Sequence, residues 1–264
     1  MRARFGTVGL GAGVLGVIVY LLFPVIVVVT ISISSATYLN FPPPGLSLQW
    51  YQKMLSDPEW LSAFWVTIKV GVLASLIAVA VGVPAAFALV RHAVAGKALL
   101  QAIILAALVT PPIVSAIGVF LMYVPLGLVN SFIGLACAHA VAGIPFVVIN
   151  TAASLRSADR DLERAAIIHG ASPLSAVLRI TLPIVSPGIV VGFILSFVHS
   201  AHELLIASFV LGGVGKPISV KMWSQVQSTT DPSVTAVSTV LIGVAILTVI
   251  SVGATRSLAG RRAR

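Results

Sequence analysis

Residues 66–90 read VTIKVGVLASLIAVAVGVPAAFALV, twenty-five positions with one charge, Lys69. Their length as a helix, roughly 37 Å, exceeds the roughly 30 Å of hydrocarbon in a bilayer. On either side lie five more runs of comparable length: Val8–Ile33, Ala98–Tyr123, Phe132–Ser154, Gly188–Val210 and Thr235–Ala254. The 264 residues are 58% hydrophobic and 9% charged, against about 25% charged in an ordinary soluble domain. A water-soluble enzyme and a disordered chain are both excluded. The reading is an all-α polytopic membrane protein with six transmembrane helices, one domain over residues 1–264. One cysteine, Cys137, leaves no internal disulfide and no cysteine-built metal site.

A net charge of +9 suggests nucleic acid until the charges are located. With both ends inside, the inner side receives Arg2, Arg4, Arg91, Lys97, Arg156, Arg160, Arg164, Arg179, Arg256, Arg261, Arg262 and Arg264, twelve of the sixteen basic residues. Lys53, Lys69, Lys216 and Lys221 fall in or beside outer loops. That asymmetry predicts an N-in, C-in orientation and removes the motive for nucleic-acid binding. The first run is too long for the 7–15 residues of a signal-peptide core and reads as a span. On the outer side, Phe41-Pro42-Pro43-Pro44-Gly45 cannot be helical. Leu48–Leu55 can be, with Trp50 and Tyr51 suited to the membrane interface.

Between the fourth and fifth runs lies an inner loop, residues 155–187, far longer than an ordinary connection of about 4–6 residues. Asp159 is placed to cap a helix carrying Asp161 and Glu163 in its first turn, and Gly170 to end it. Ser172 and Pro173 start a second, short helix towards Ile180, which Pro183 stops. Leu162, Ala166, Ile167, Leu174 and Leu178 give this projection an apolar side, for docking to a partner or for packing on its own spans.

Arg164-Ala165-Ala166, three residues, Gly170, nine residues and Ile180-Thr181-Leu182-Pro183 together resemble the EAA loop of permease subunits of bacterial ABC importers, patterned EAA-x₃-G-x₉-I-x-LP. The resemblance implies a type I importer permease in the bacterial inner membrane, and marks Asp161, Glu163, Arg164, Ala165, Ala166, Gly170, Ala171, Ile180, Leu182 and Pro183 as the segment that docks in an ATPase cleft. It further implies two ATPase subunits carrying ATP and Mg, a second permease subunit and an external substrate-binding protein, with no cofactor on this chain and no catalytic residue. The motif's first position, usually Glu, is Arg164 here; Glu163 is adjacent, but a helix turns about 100° per residue, so it does not stand in for it. Ser196–Leu204, Ser208-Phe209 and Val220–Trp223 are similar to the fifth-span region of polyamine (spermidine/putrescine) permeases. Those commonly hold an acidic pair where this chain has His202 and Glu203, and related branches import iron, thiamine, sulfate or phosphonates. A passive channel or membrane scaffold is the alternative of a different class.

Glu203 lies about fifteen residues, roughly 22 Å, into the fifth run, where a carboxylate costs a few kcal/mol unless it meets water or a partner. His199, His202 and Glu203 would share one helical face. Three readings stay open: a metal site, a structural His–Glu bond, or the lining of a translocation pathway that stabilises a cationic substrate. His139 and Asn150 read as hydrogen bonders between helices. Pro111-Pro112 and Pro145 read as kinks, or as hinges of the pathway. Gly212–Pro217 imitates a phosphate loop but lacks its first glycine and its Ser/Thr.

Overall fold

A computed structural model describes residues 2–93, 95–211, 215–228 and 231–262, and the side chains of all of these except 2–12, 248–249 and 251–262. Gly212, Gly213 and Arg264, together with the side chains of Arg2, Arg4, Arg256, Arg261 and Arg262, lie outside that description. The described residues are helical almost throughout, without a strand. Internal contacts divide the chain into two units, residues 1–61 with 222–246, and residues 62–221 with 247–264.

In the first unit, α1 (Arg2–Ser32) exposes apolar side chains all along Val14–Phe23, an arrangement stable only in lipid or against other helices. The proline-rich segment after it is non-helical, and α2 (Gln49–Ser56) follows as expected. The Trp50 indole Nε1 donates to the Ser34 carbonyl at 2.9 Å and the Tyr51 and Ser32 hydroxyls bond at 2.8 Å, tying α2 to the end of α1. Lys53 pairs with Asp231, which also accepts the Ser233 amide at the start of α12 (Ser233–Arg262). The position of α12 is that of the sixth expected run, and it is apolar over Ser233–Leu247.

The second unit holds most of α3 (Pro58–Arg91), then α4 (Lys97–Val109), α5 (Pro112–Leu126) and α6 (Phe132–Ser157). The expected third span, Ala98–Tyr123, is not continuous: α4 and α5 meet at a bend of 104°. A residue before proline is pushed out of the helical region. Two successive X-Pro bonds therefore leave Thr110 (ψ 129°) and Pro111 (ψ 130°) both extended, and Pro112 restarts the helix at its first position. A break, not a kink, results. Among the described residues four helices are otherwise long and apolar enough to cross a membrane, five if the bent pair is counted as one span.

The loop over residues 155–187 follows its local signals until Pro183. Asp159 accepts the Asp161 amide at the start of α7 (Arg160–Ile168). Gly170 ends α7 at φ +94°, with its amide on the Ile167 carbonyl and that of Ala171 on the Ala166 carbonyl, which pays the last turn's unpaired acceptors. Ser172 caps α8 (Pro173–Ala176) by accepting the Ser175 amide. The helix does not stop at Pro183, contrary to expectation. A π-turn, Val177–Thr181, widens the spiral just before the proline and leads without a gap into α9 (Leu182–His202).

α6 and α9 pack closely because Gly143, Gly188 and Gly192 lie between them. A Cβ on Gly192 would stand 2.7 Å from the Val147 Cα, and one on Gly188 2.7 Å from the Asn150 carbonyl oxygen. The fifth run breaks as well: α9 ends at His202, Glu203 is extended (φ −69°, ψ 117°), and a separate α10 (Leu205–Val210) leads on to α11 (Ile218–Ser228). α10 packs on α5, with Phe209 edge-on to Phe120 at 6.1 Å. The second halves of the two broken runs thus support each other.

Candidate functional site

Both breaks border one cavity of about 500 Å³. Thr110, Pro111, Pro112 and Ser115 line it from the first, His199, Glu203 and Ile206 from the second, and apolar residues of α4 and α6 supply most of the remaining wall. Glu203 is the one acidic residue among those lining it. Interrupted helices are tolerated at membrane depth where they border a cavity or are buried in protein, because the freed backbone groups need other partners.

Those partners are visible around Glu203. Its carboxylate accepts the amides of Leu205 (3.2 Å) and Ala207 (3.1 Å), filling orphan donors of the first turn of α10 with negative charge at a helix start. The Ser219 hydroxyl donates to the Glu203 carbonyl at 2.9 Å. His139 of α6, 1% exposed, stands with Nε2 3.5 Å from the carboxylate and Nδ1 2.7 Å from the Ser200 hydroxyl. A carboxylate held this way keeps its direction while one side faces the cavity.

The expected single helical face of His199, His202 and Glu203 does not exist, because the helix ends between His202 and Glu203. His199 and Glu203 still meet at the cavity, where the His199 ring stacks on Phe146 at 5.4 Å. His202 is exposed and not among the residues lining it. Among the described residues no group of three or more potential ligands is placed to hold a metal ion. His139 does bridge helices, as expected, but its link to Glu203 spans 64 positions and no local pattern signals it. The capping role of Glu203 did have a signal, a carboxylate directly ahead of the short apolar run Leu204–Val210. Asn150 does not bridge: its amide donates back to the Phe146 carbonyl, 2.8 Å away, within α6.

On the 155–187 loop, Arg164 is 65% exposed and reaches the exposed Asp161, at 3.0 Å. Glu163 turns the other way, and its carboxylate accepts the buried Thr181 hydroxyl at 2.9 Å. Of the loop's apolar side, Leu162, Ile167, Leu174 and Leu178 are exposed and Ala166 is half-buried, while Ile180 and Leu182 are half-buried where the loop joins α9.

Apolar helices broken around a cavity that holds one carboxyl group, joined to a capped and exposed loop, define a solute-translocating membrane protein. The particular family is given by comparison: residues 78–263 match the model of the binding-protein-dependent transport system inner membrane component, and the chain belongs to that family. It is a non-catalytic permease component of the inner membrane. It is 28% identical over 233 residues to the spermidine/putrescine transport system permease protein PotC of Escherichia coli K12, covering 88% of each chain. With the putrescine transport system permease protein PotI of the same organism it shares 29% over 231 residues, 85% of this chain and 82% of the other. The fold matches that of a bacterial ABC transporter involved in import of the acidic polysaccharide alginate, with a TM-score of 0.77, 20% identity and coverage of 96% and 97%.

Proposed function

We propose that this permease imports small organic cations of the spermidine and putrescine type. The observation that carries this is Glu203, a carboxylate oriented by the Leu205 and Ala207 amides with His139 Nε2 3.5 Å away, and the one acidic residue lining an otherwise largely apolar cavity. Such a site favours an ammonium flanked by methylenes, since the charge meets the carboxylate and the carbon chain meets apolar wall. The names of the two Escherichia coli relatives support the same substrate class.

With the N- and C-termini inside, Asp159–Leu182 lies in the cytoplasm and docks in the cleft of an ATPase subunit. The working assembly then contains two ATPases carrying ATP and Mg, a second permease subunit and an external binding protein that delivers the cation. Closure of the ATPases moves the loops, and the spans alternate between outward and inward access. This chain binds no cofactor itself.

The test is uptake of labelled spermidine and putrescine into vesicles containing the assembled transporter. A charge-assisted hydrogen bond is worth about 1.5–3 kcal/mol, so Glu203→Gln should lower uptake about tenfold or more with assembly intact. Unchanged uptake by that variant would refute the role of the carboxylate.

A further inference from the structure

Glu163 and Thr181 are bonded across eighteen positions of sequence. Residue 164, where the loop pattern has a carboxylate, is an outward-pointing arginine with an exposed partner. The loop carboxylate one position earlier faces inward onto the base of a membrane helix. A threonine in a helix usually returns its hydroxyl to the carbonyl four residues back. Thr181, the last residue of the π-turn and 3% exposed, donates to Glu163 instead.

Few polar ties hold α7 to the rest of the chain. Its C-terminal end is Gly170 in a left-handed conformation, with nothing within 4 Å of where a side chain would start. Near its N-terminal end, Arg160 reaches the Arg91 carbonyl and Arg91 the Ala158 carbonyl, both at 3.4 Å, close to the limit for a hydrogen bond. The Glu163–Thr181 bond, at 2.9 Å, is the short tie, and it ends on the π-turn that runs unbroken into α9. α9 ends at His202, directly before Glu203 on the cavity wall. α4, on the other wall, shares no comparable bond with α7 among the described residues.

We infer that Glu163 and Thr181 form a clamp that makes α7 move as one body with α9, so that displacement of the loop reaches the Glu203 side of the cavity. Both are positioning residues that touch neither solute nor nucleotide. The coupling role rests on the reading that the loop docks an ATPase; the clamp itself does not. The π-turn is where the clamp acts, because a widened turn ahead of a proline is a weak point of the Pro173–His202 helix. Without the side-chain bond, a push on α7 would bend the helix there.

The test measures the clamp and the coupling separately, in the assembled transporter with its ATPase and with Cys137 replaced by serine. Spin labels on Ile168→Cys and Ile184→Cys, both exposed positions, report the α7–α9 distance without nucleotide and with trapped ATP. The expected result is one narrow distance, unchanged by ATP, in the otherwise wild-type protein and in Thr181→Ser. Thr181→Val and Glu163→Ala should give a broad distribution that shifts with ATP. The ATP consumed per spermidine taken up should rise several-fold in Thr181→Val and Glu163→Ala, no further in the double variant, and return in Thr181→Ser. A wild-type distance that itself changes with ATP, or a Thr181→Val distribution equal to wild type, overturns the clamp. A clamp that behaves as expected in a protein with which no ATPase associates overturns the docking reading instead.

Discussion

Gly192→Ala adds one carbon where α9 crosses α6. The new Cβ would lie 2.7 Å from the Val147 Cα and 3.3 Å from the Phe146 carbonyl oxygen. Both are backbone atoms that cannot rotate aside. Ordinary contact begins near 3.4 Å, so the two helices must separate by about 0.7 Å. Overpacking of this kind costs about 1–3 kcal/mol, and the better helix propensity of alanine returns about 0.5–1 kcal/mol. The same displacement, two turns further along α9, would stretch the His139–Ser200 bond from 2.7 Å and carry His139 beyond 4 Å from Glu203, starting from 3.5 Å. Gly118→Ala is the matched control, since its Cβ meets nothing within 4 Å and only the propensity gain applies. The assay is thermal unfolding of the purified assembly in detergent, with uptake by reconstituted vesicles. Gly192→Ala should melt lower and transport less than wild type, and Gly118→Ala should do neither. Equal behaviour of the two variants would refute the close-packing account of how Glu203 is positioned.

Gly170→Val should leave association with the ATPase largely intact but uncouple hydrolysis from uptake: nothing crowds the position, so the cost is the backbone's, about 1–2 kcal/mol for an L-residue at positive φ. Gly170→Asn, which tolerates that region, should lie close to wild type, and full coupling in the valine variant would contradict the prediction. Burial alone would raise the Asp231 pKa, but the Lys53 ammonium and the Ser233 amide outweigh it and hold the carboxyl below its ordinary value. The stabilisation is therefore complete above about pH 4, the ordinary aspartate value, and lost as pH falls through the lower folded value. Melting of wild type and Asp231→Asn should differ at neutral pH and converge in acid; a gap that widened on acidification would reverse the assignment.

Composition and run length made the helical membrane class legible, and the capping residues Asp159, Gly170 and Ser172 each act where local chemistry places them. Both broken runs were hidden for one reason: hydropathy counts side chains and does not see backbone. Thr110-Pro111-Pro112 carries the cause of its break in plain view, as paired X-Pro constraints, yet the apolar count runs straight across it. Glu203 registers as a charge inside a span, but that it ends one helix and starts another depends on amides beyond it and on His139, brought near by glycine packing of α6 on α9. Pro183 reads as a stop because helix rules assume the four-residue repeat, and the π-turn escapes that assumption. Glu163 points about 100° away from the motif position, and that same angle turns it onto Thr181.

The central claim, that this permease is driven through its inner loop, is tested most directly by affinity purification in mild detergent. A candidate ATPase is co-expressed with tagged wild type and with a variant in which Asp159–Leu182 is replaced by a Gly/Ser linker. The account predicts that the ATPase accompanies the wild type and is lost with the linker. An ATPase that accompanies neither correctly inserted protein, or both equally, would contradict it.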